Sequence, residues 1–101
     1  MAVAQVQVPA EQIAEFCRRN GIRRLSLFGS ALTPSFSDSS DVDLLVEFEP
    51  DRRVGFLKMA AMERELSGLW GRRVDLRTPE ELSPYFREDV VRSAVVQYVR
   101  Q

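Results

Sequence analysis

Apolar residues recur at helical spacing in three segments of the chain. The first segment begins after Pro9 and ends before Gly21, which is a typical C-terminal stop for a helix. The second covers about residues 54–69, and the third covers about residues 83–93. On the second helix, one mostly apolar stripe is predicted through Phe56, Met59, Ala60, Glu63 and Leu66.

The remaining apolar stretches have the pattern of β-strands. Residues 41–47 show the clearest alternation of apolar with mostly acidic side chains, and two further strands are predicted over 22–28 and 72–77. The final stretch, 94–99, is predicted as a short strand rather than the tail of the third helix, because its residues are good strand formers. This order of elements predicts an α/β or α+β domain in which helices back a small sheet.

Length and composition narrow the class of protein. The 101 residues are expected to form a single domain, 1–101, with residues 1–8 mobile. The chain has no histidine, which removes the commonest general base and zinc ligand, and Cys17 as the only cysteine excludes an intramolecular disulfide. Because the sequence shows neither a signal peptide nor an apolar run of membrane-spanning length, a cytoplasmic protein without membrane contact is expected.

The slightly acidic net charge of the chain disfavours nucleic acid as a direct partner. The net charge is −1 and the isoelectric point is about 5.5, whereas nucleic-acid-binding surfaces usually carry a basic excess. Any cationic ligand contact must therefore come from a small local cluster.

Three acidic residues carry the candidate chemistry. Asp41 and Asp43 are two apart on a predicted strand, so their side chains leave the same face from Cα atoms about 6.5–7 Å apart. Such carboxylates can converge on Mg²⁺, which prefers hard oxygen ligands together with substrate phosphates. If the strand that carries Asp75 lies beside this one, Asp75 becomes the third carboxylate of a two-cation centre. The alternative for Asp41 and Asp43 alone is the solvated face of a half-buried strand.

A Gly–Ser turn directly follows the strand over 22–28. Gly29 would let a backbone N–H approach a phosphate closely, while Ser30 adds a hydroxyl donor at the start of a short helix. The dipeptide is a weak signal alone, but its position shortly before the Asp-x-Asp pair suggests a phosphate grip beside a metal site.

In combination, these motifs resemble the minimal nucleotidyltransferase (MNT) family of the DNA polymerase β superfamily. The similarity covers about residues 22–99 and includes the tail at Leu82–Arg87. The segments that carry it are Leu27–Ser30, Ser40–Phe48 and Gly71–Leu76.

The resemblance implies a nucleotidyltransferase fold with a mixed sheet, and ATP and Mg²⁺ as ligands. By match, Gly29 and Ser30 would hold the triphosphate, Asp41 and Asp43 would bind the metal ions, and Asp75 would complete the site as a metal ligand. Asp75 is the preferred base for the acceptor hydroxyl, and activation by a metal ion alone is the alternative. The implied reaction transfers a nucleoside monophosphate to a hydroxyl and releases pyrophosphate.

One departure from the family pattern concerns the residues after Ser30. Many relatives have an arginine there, whereas this chain reads Ala31–Pro34, which removes one phosphate contact and leaves the catalytic rate in question. Arg77 could supply positive charge beside Asp75, although a plain surface salt bridge is the preferred interpretation.

The family also suggests a partner. MNT proteins often act as antitoxins of HEPN-domain ribonuclease toxins, and some transfer AMP to a tyrosine of the toxin. The resemblance therefore implies an antitoxin that adenylylates its HEPN partner, in a homo- or hetero-oligomer. The alternatives are a binding module with weak or no catalysis that neutralises the partner by occlusion, and nucleotidyl transfer to RNA or a small molecule.

Overall fold

A computed structural model describes residues 9–34, 37 and 40–100, so the predicted mobility of residues 1–8 concerns residues outside the described part. The described residues form three α-helices and four strands. In chain order these are α1 (Ala10–Arg19), β1 (Ile22–Phe28), β2 (Val42–Phe48), α2 (Phe56–Trp70), β3 (Val74–Arg77), α3 (Pro84–Ser93) and β4 (Val95–Val99). Short 3₁₀ turns at Gly29–Leu32 and Pro79–Glu81 follow β1 and β3.

The four strands form one mixed sheet in the order β3-β2-β1-β4. β1 runs antiparallel to both β2 and β4, whereas β2 and β3 are parallel. The parallel pair requires a crossover connection, which α2 supplies. The predicted class, a small mixed sheet backed by helices, is confirmed, as is the final strand.

The apolar core lies between one face of this sheet and helices α1 and α2. Direct partners on neighbouring strands share a face, so Leu27 beside Leu44 and Leu25 beside Val46 form a continuous buried surface. From the helices, the fully or almost fully buried residues are Ile13, Phe16, Cys17, Met62 and Leu66.

Helix α2 also covers the outer edge of β3, the edge strand beside the candidate site. The carboxylate of Glu63 accepts a hydrogen bond from the backbone N–H of Leu76 at 2.7 Å, and the Ser67 hydroxyl accepts one from the N–H of Val74 at 3.0 Å. These two side chains satisfy backbone donors that an edge strand would otherwise leave unpaired. They thereby tie β3 to the helix that precedes it.

One expectation about α2 needs correction. Phe56 was placed on the apolar stripe but is 86% exposed, because it is the first residue of α2 and the buried part of the helix begins about one turn later. Trp70 packs against the core, whereas Tyr85 and Phe86 are exposed on α3, which buries none of its residues. None of the helices in the described part of the chain combines the length and hydropathy that crossing a membrane requires.

Candidate active site

The sheet register brings the predicted site residues to one end of the sheet. Asp43 is the direct partner of Phe28 on β1 and of Asp75 on β3, so it lies between the end of β1 and the third acid. Asp41 precedes β2 by one residue and is two positions from Asp43, which places both on the same face. The condition set for Asp75, that its strand lies beside β2, is met.

Gly29 packs directly on the carboxylate of Asp43. Its φ is +71°, in the left-handed region that glycine adopts without strain, and a Cβ built on it would overlap the Asp43 carboxylate. A glycine is therefore required at this position on two grounds, the backbone conformation and the close approach.

Ser30 fastens the same turn to the start of β2. Its backbone N–H donates to the Asp43 carboxylate, and its hydroxyl donates to the backbone carbonyl of Asp41 at 3.3 Å. The expected short helix after Gly29 is a single four-residue 3₁₀ turn. Without ligand, the groups predicted to hold a triphosphate thus orient the two acids.

The neighbouring acids act electrostatically on Asp43. The pKa of Asp43 is raised, first by burial and next by the charge of Asp75, with a smaller contribution from Asp41. The hydrogen bond from Ser30 and the charge of Arg77 act in the opposite direction without cancelling the rise. The site therefore gathers negative charge that is unfavourable without a compensating cation.

Two arginines on β3 or immediately before it compensate part of that charge. Arg77 lies 3.3 Å from the Asp75 carboxylate, and Arg73 lies 3.9 Å from that of Asp41. The contact of Arg77 agrees with the salt bridge expected for it, whereas the pairing of Arg73 with Asp41 was not predicted. The only sequence signal for the Arg73–Asp41 pairing was the alternation that places Arg73 on the same face of the strand as Asp75 and Arg77. A contact between different strands cannot be predicted from the pattern of one strand.

The acids match a divalent cation in donor chemistry and in backbone placement. In the described residues, however, no group of three acidic, histidine or cysteine side chains is arranged to hold a metal ion. Asp41 and Asp75 instead interact with Arg73 and Arg77, so gathering the carboxylates around a cation requires rotation of their side chains away from these arginines. The carboxylate oxygens of these partly exposed acids are the hard donors that Mg²⁺ prefers, and the residues fit the ion in that chemical sense.

Sequence comparison relates the chain to a known domain family and to an archaeal enzyme. Residues 10–96 match the family described as "Nucleotidyltransferase domain". The protein adenylyltransferase MntA of Thermococcus cleftensis is 36% identical over 81 residues, which cover 80% of this chain and 80% of the relative.

Structure comparison gives the same assignment of fold. A solved structure assigned as a minimal nucleotidyltransferase is 38% identical, with a TM-score of 0.70, over 85% of this chain and 86% of the other. A toxin–antitoxin structure with AMP-PNP has a TM-score of 0.74 at 20% identity, covering 93% of this chain and 76% of the other. The complex of a tri-AMPylated Shewanella oneidensis HEPN toxin with its MNT antitoxin has a TM-score of 0.65 at 20% identity, covering 91% and 71%. At 20% identity, the last two similarities establish the fold.

Proposed function

This chain belongs to the nucleotidyltransferase domain family, and we propose that it is a minimal nucleotidyltransferase that transfers AMP from ATP to a hydroxyl of a HEPN-domain protein. The acceptor we propose is a tyrosine of that partner, and the role is that of an antitoxin. Membership confirms the family resemblance drawn from the motifs. We place the reaction in the cytoplasm, where ATP is available.

The observation that carries the proposal is the row formed by Gly29, Asp43 and Asp75. Three acids share one end of the sheet, and Gly29 leaves no space for a side chain beside the Asp43 carboxylate. The repulsion between these like charges destabilises the fold. A protein that acted only by binding a partner would have no physical need for such a cluster of acids. Cations bound together with a nucleotide substrate would offset the repulsion between the three acids.

In the proposed complex, Asp41 and Asp43 would hold Mg²⁺ together with the triphosphate, and Asp75 would complete the carboxylate set. The turn at Gly29 and Ser30 would contact the phosphates. When bound, Mg²⁺ would neutralise triphosphate charge. The acceptor oxygen attacks the α-phosphorus, the bond to the bridging oxygen breaks and pyrophosphate leaves, while the hydroxyl proton passes to Asp75.

The partner is proposed from the relatives. The sequence relative is named a protein adenylyltransferase, and structures of the same fold include a complex with an AMPylated HEPN toxin.

One observation supports the second candidate, a binding module that silences its partner by occlusion. Ala31 is fully buried and Leu32 packs against the core, so the turn after Ser30 presents no cationic side chain to a phosphate. Transfer would be slow if no other group replaced that contact.

The deciding experiment mixes the chain with a HEPN-domain protein encoded by a neighbouring gene, ATP and Mg²⁺, and measures the intact mass of the partner. We expect an increase equal to one AMP per transfer, with loss of partner ribonuclease activity. Combined Asp41→Asn and Asp43→Asn should abolish the increase, while Asp51→Asn, a change at an exposed acid outside the site, should not. Unchanged transfer by the double variant would remove the assignment of the metal site. A stable, inactive complex without a mass change would establish the binding module instead.

A further inference from the structure

The guanidinium of Arg77 lies between a carboxylate of the site and a carboxylate outside it. Its Nη2 donates to Asp75 Oδ2 at 3.3 Å, and its Nη1 lies 3.7 Å from Glu81 Oε2. About half of the Arg77 side chain is exposed, so the guanidinium can exchange one of these contacts without disturbing the core.

Glu81 is a fixed anchor in this arrangement. Its Oε1 accepts hydrogen bonds from the backbone N–H and the hydroxyl of Thr78, both at 3.2 Å, in the capping box of the 3₁₀ turn after β3. Oε2 remains directed to Arg77. Arg77 therefore has one partner whose position is set by the fold and one partner that belongs to the site.

Arg77 also lies on the face of β3 that carries Asp75. It is two residues beyond Asp75 on β3, on the same face, and its charge lowers the pKa of Asp43 against the larger opposing influences. Arg73 has a side chain that is 82% exposed and lies 3.9 Å from Asp41.

From this geometry we propose that Arg77 is a positioning and nucleotide-binding residue that changes partners when the site is loaded. In the structure it pairs with both Asp75 and Glu81. With Asp75 engaged by a divalent cation, the guanidinium would keep its contact with Glu81 and would direct its other N–H donors to the phosphate oxygens of the nucleotide. This inference rests on the proposed function and supplies the cationic contact that the turn after Ser30 lacks.

The exchange predicts effects of opposite sign on two ligands. Without the Arg77 charge, the acids should bind Mg²⁺ alone more tightly, by about two- to fivefold, the range of a half-exposed ion pair. Without its donors, AMP-PNP with saturating Mg²⁺ should bind about tenfold more weakly, as expected for the loss of a charge-assisted hydrogen bond. If Arg77 only stabilised β3, its replacement would not change the affinities for Mg²⁺ and for AMP-PNP in opposite directions.

The test is calorimetric titration of the full chain and its Arg77→Gln and Arg77→Lys variants, first with MgCl₂ and then with AMP-PNP in saturating Mg²⁺. Arg77→Lys keeps the charge but lacks the planar fork, so its AMP-PNP affinity should fall between those of the wild type and Arg77→Gln. Arg92→Gln is the matched control, since Arg92 is equally part of surface ion pairs but lies on α3 with Glu88 and Asp89. Both of its affinities should equal those of the wild type.

The inference is overturned if Arg77→Gln changes AMP-PNP affinity by less than twofold, or if both affinities move in the same direction. Thermal unfolding of each variant shows whether a common loss reflects a damaged fold. Neither titration needs a partner protein. If the wild type transfers AMP but Arg77→Gln binds AMP-PNP as tightly as the wild type, only this inference fails. If the two affinities shift in opposite directions but the wild type transfers no AMP, only the proposed acceptor reaction fails.

Discussion

The replacement Asp43→Asn should stabilise the metal-free protein while it abolishes transfer. The amide has nearly the shape of the carboxylate and can still accept the hydrogen bond from the Ser30 N–H. It removes the one charge that is disfavoured by burial and by both neighbouring acids. Function and stability are thus expected to oppose each other at this residue.

The size of the effect follows from the sheet register. Asp43 and Asp75 are direct partners on strands that are about 4.8 Å apart, and two charges about 5 Å apart repel by about 0.8 kcal/mol at the dielectric constant of water. Asp41 adds to this repulsion, while the compensation of Asp75 by Arg77 reduces it. A net gain of about 0.5–1 kcal/mol remains, which corresponds to a rise in Tm of about 2–8 °C for a domain of this size.

The pH dependence of stability also indicates that Asp43→Asn should stabilise the fold. The folded-state pKa of Asp43 is raised above the ordinary value of 3.8, so the folded state binds the proton more tightly than the unfolded chain. Wild-type stability therefore falls as the pH rises from 3.8 through the raised pKa. The advantage of Asp43→Asn should be full above that raised pKa and should shrink as the pH falls through it.

The assay is thermal unfolding with EDTA at pH 7.5, repeated at about pH 4.5. Mg²⁺ should then raise the Tm of the wild type but not that of Asp43→Asn, and Asp51→Asn should match the wild type throughout. A variant that is less stable than the wild type at pH 7.5, or equally stable, would refute the electrostatic reasoning.

Three further predictions concern the surroundings of the site. Gly29→Ala should lose transfer and destabilise the fold by more than Gly71→Ala, which is measurable by urea unfolding. Both glycines have a φ near +70°, at which alanine costs about 1–2 kcal/mol, but only at Gly29 would the added Cβ meet the Asp43 carboxylate. Equal losses of unfolding free energy in the two variants would show that this contact is irrelevant. Glu63→Ala should cost about 1–3 kcal/mol of unfolding free energy, because it leaves a backbone N–H of β3 without its acceptor, and a cost near zero would mean that water replaces the carboxylate. Cys17 is fully buried and its pKa is raised to about 12, so iodoacetamide should modify it at pH 8 only after denaturation, and rapid modification of the native protein would contradict its burial.

Much of the local structure could be predicted from the chain alone. Alternation along β2 showed which side chains share a face, and the residue types of Thr78–Glu81 are those of the capping box that the structure shows. The order of helices and strands predicted the fold class, and the Gly–Ser and Asp-x-Asp motifs predicted the family. These features depend on residues within a few positions of each other, where backbone geometry sets the spacing.

Only the tertiary structure decided how these pieces meet. The pairing of Asp75 with Asp43, the packing of Gly29 on that carboxylate and the bridge from Asp75 through Arg77 to Glu81 depend on strand neighbours and register. A period of two along a strand indicates the face of each side chain but not which strand lies beside it. Neighbours and register are set by packing across the whole core, and for that reason the site is a property of the sheet rather than of any one motif.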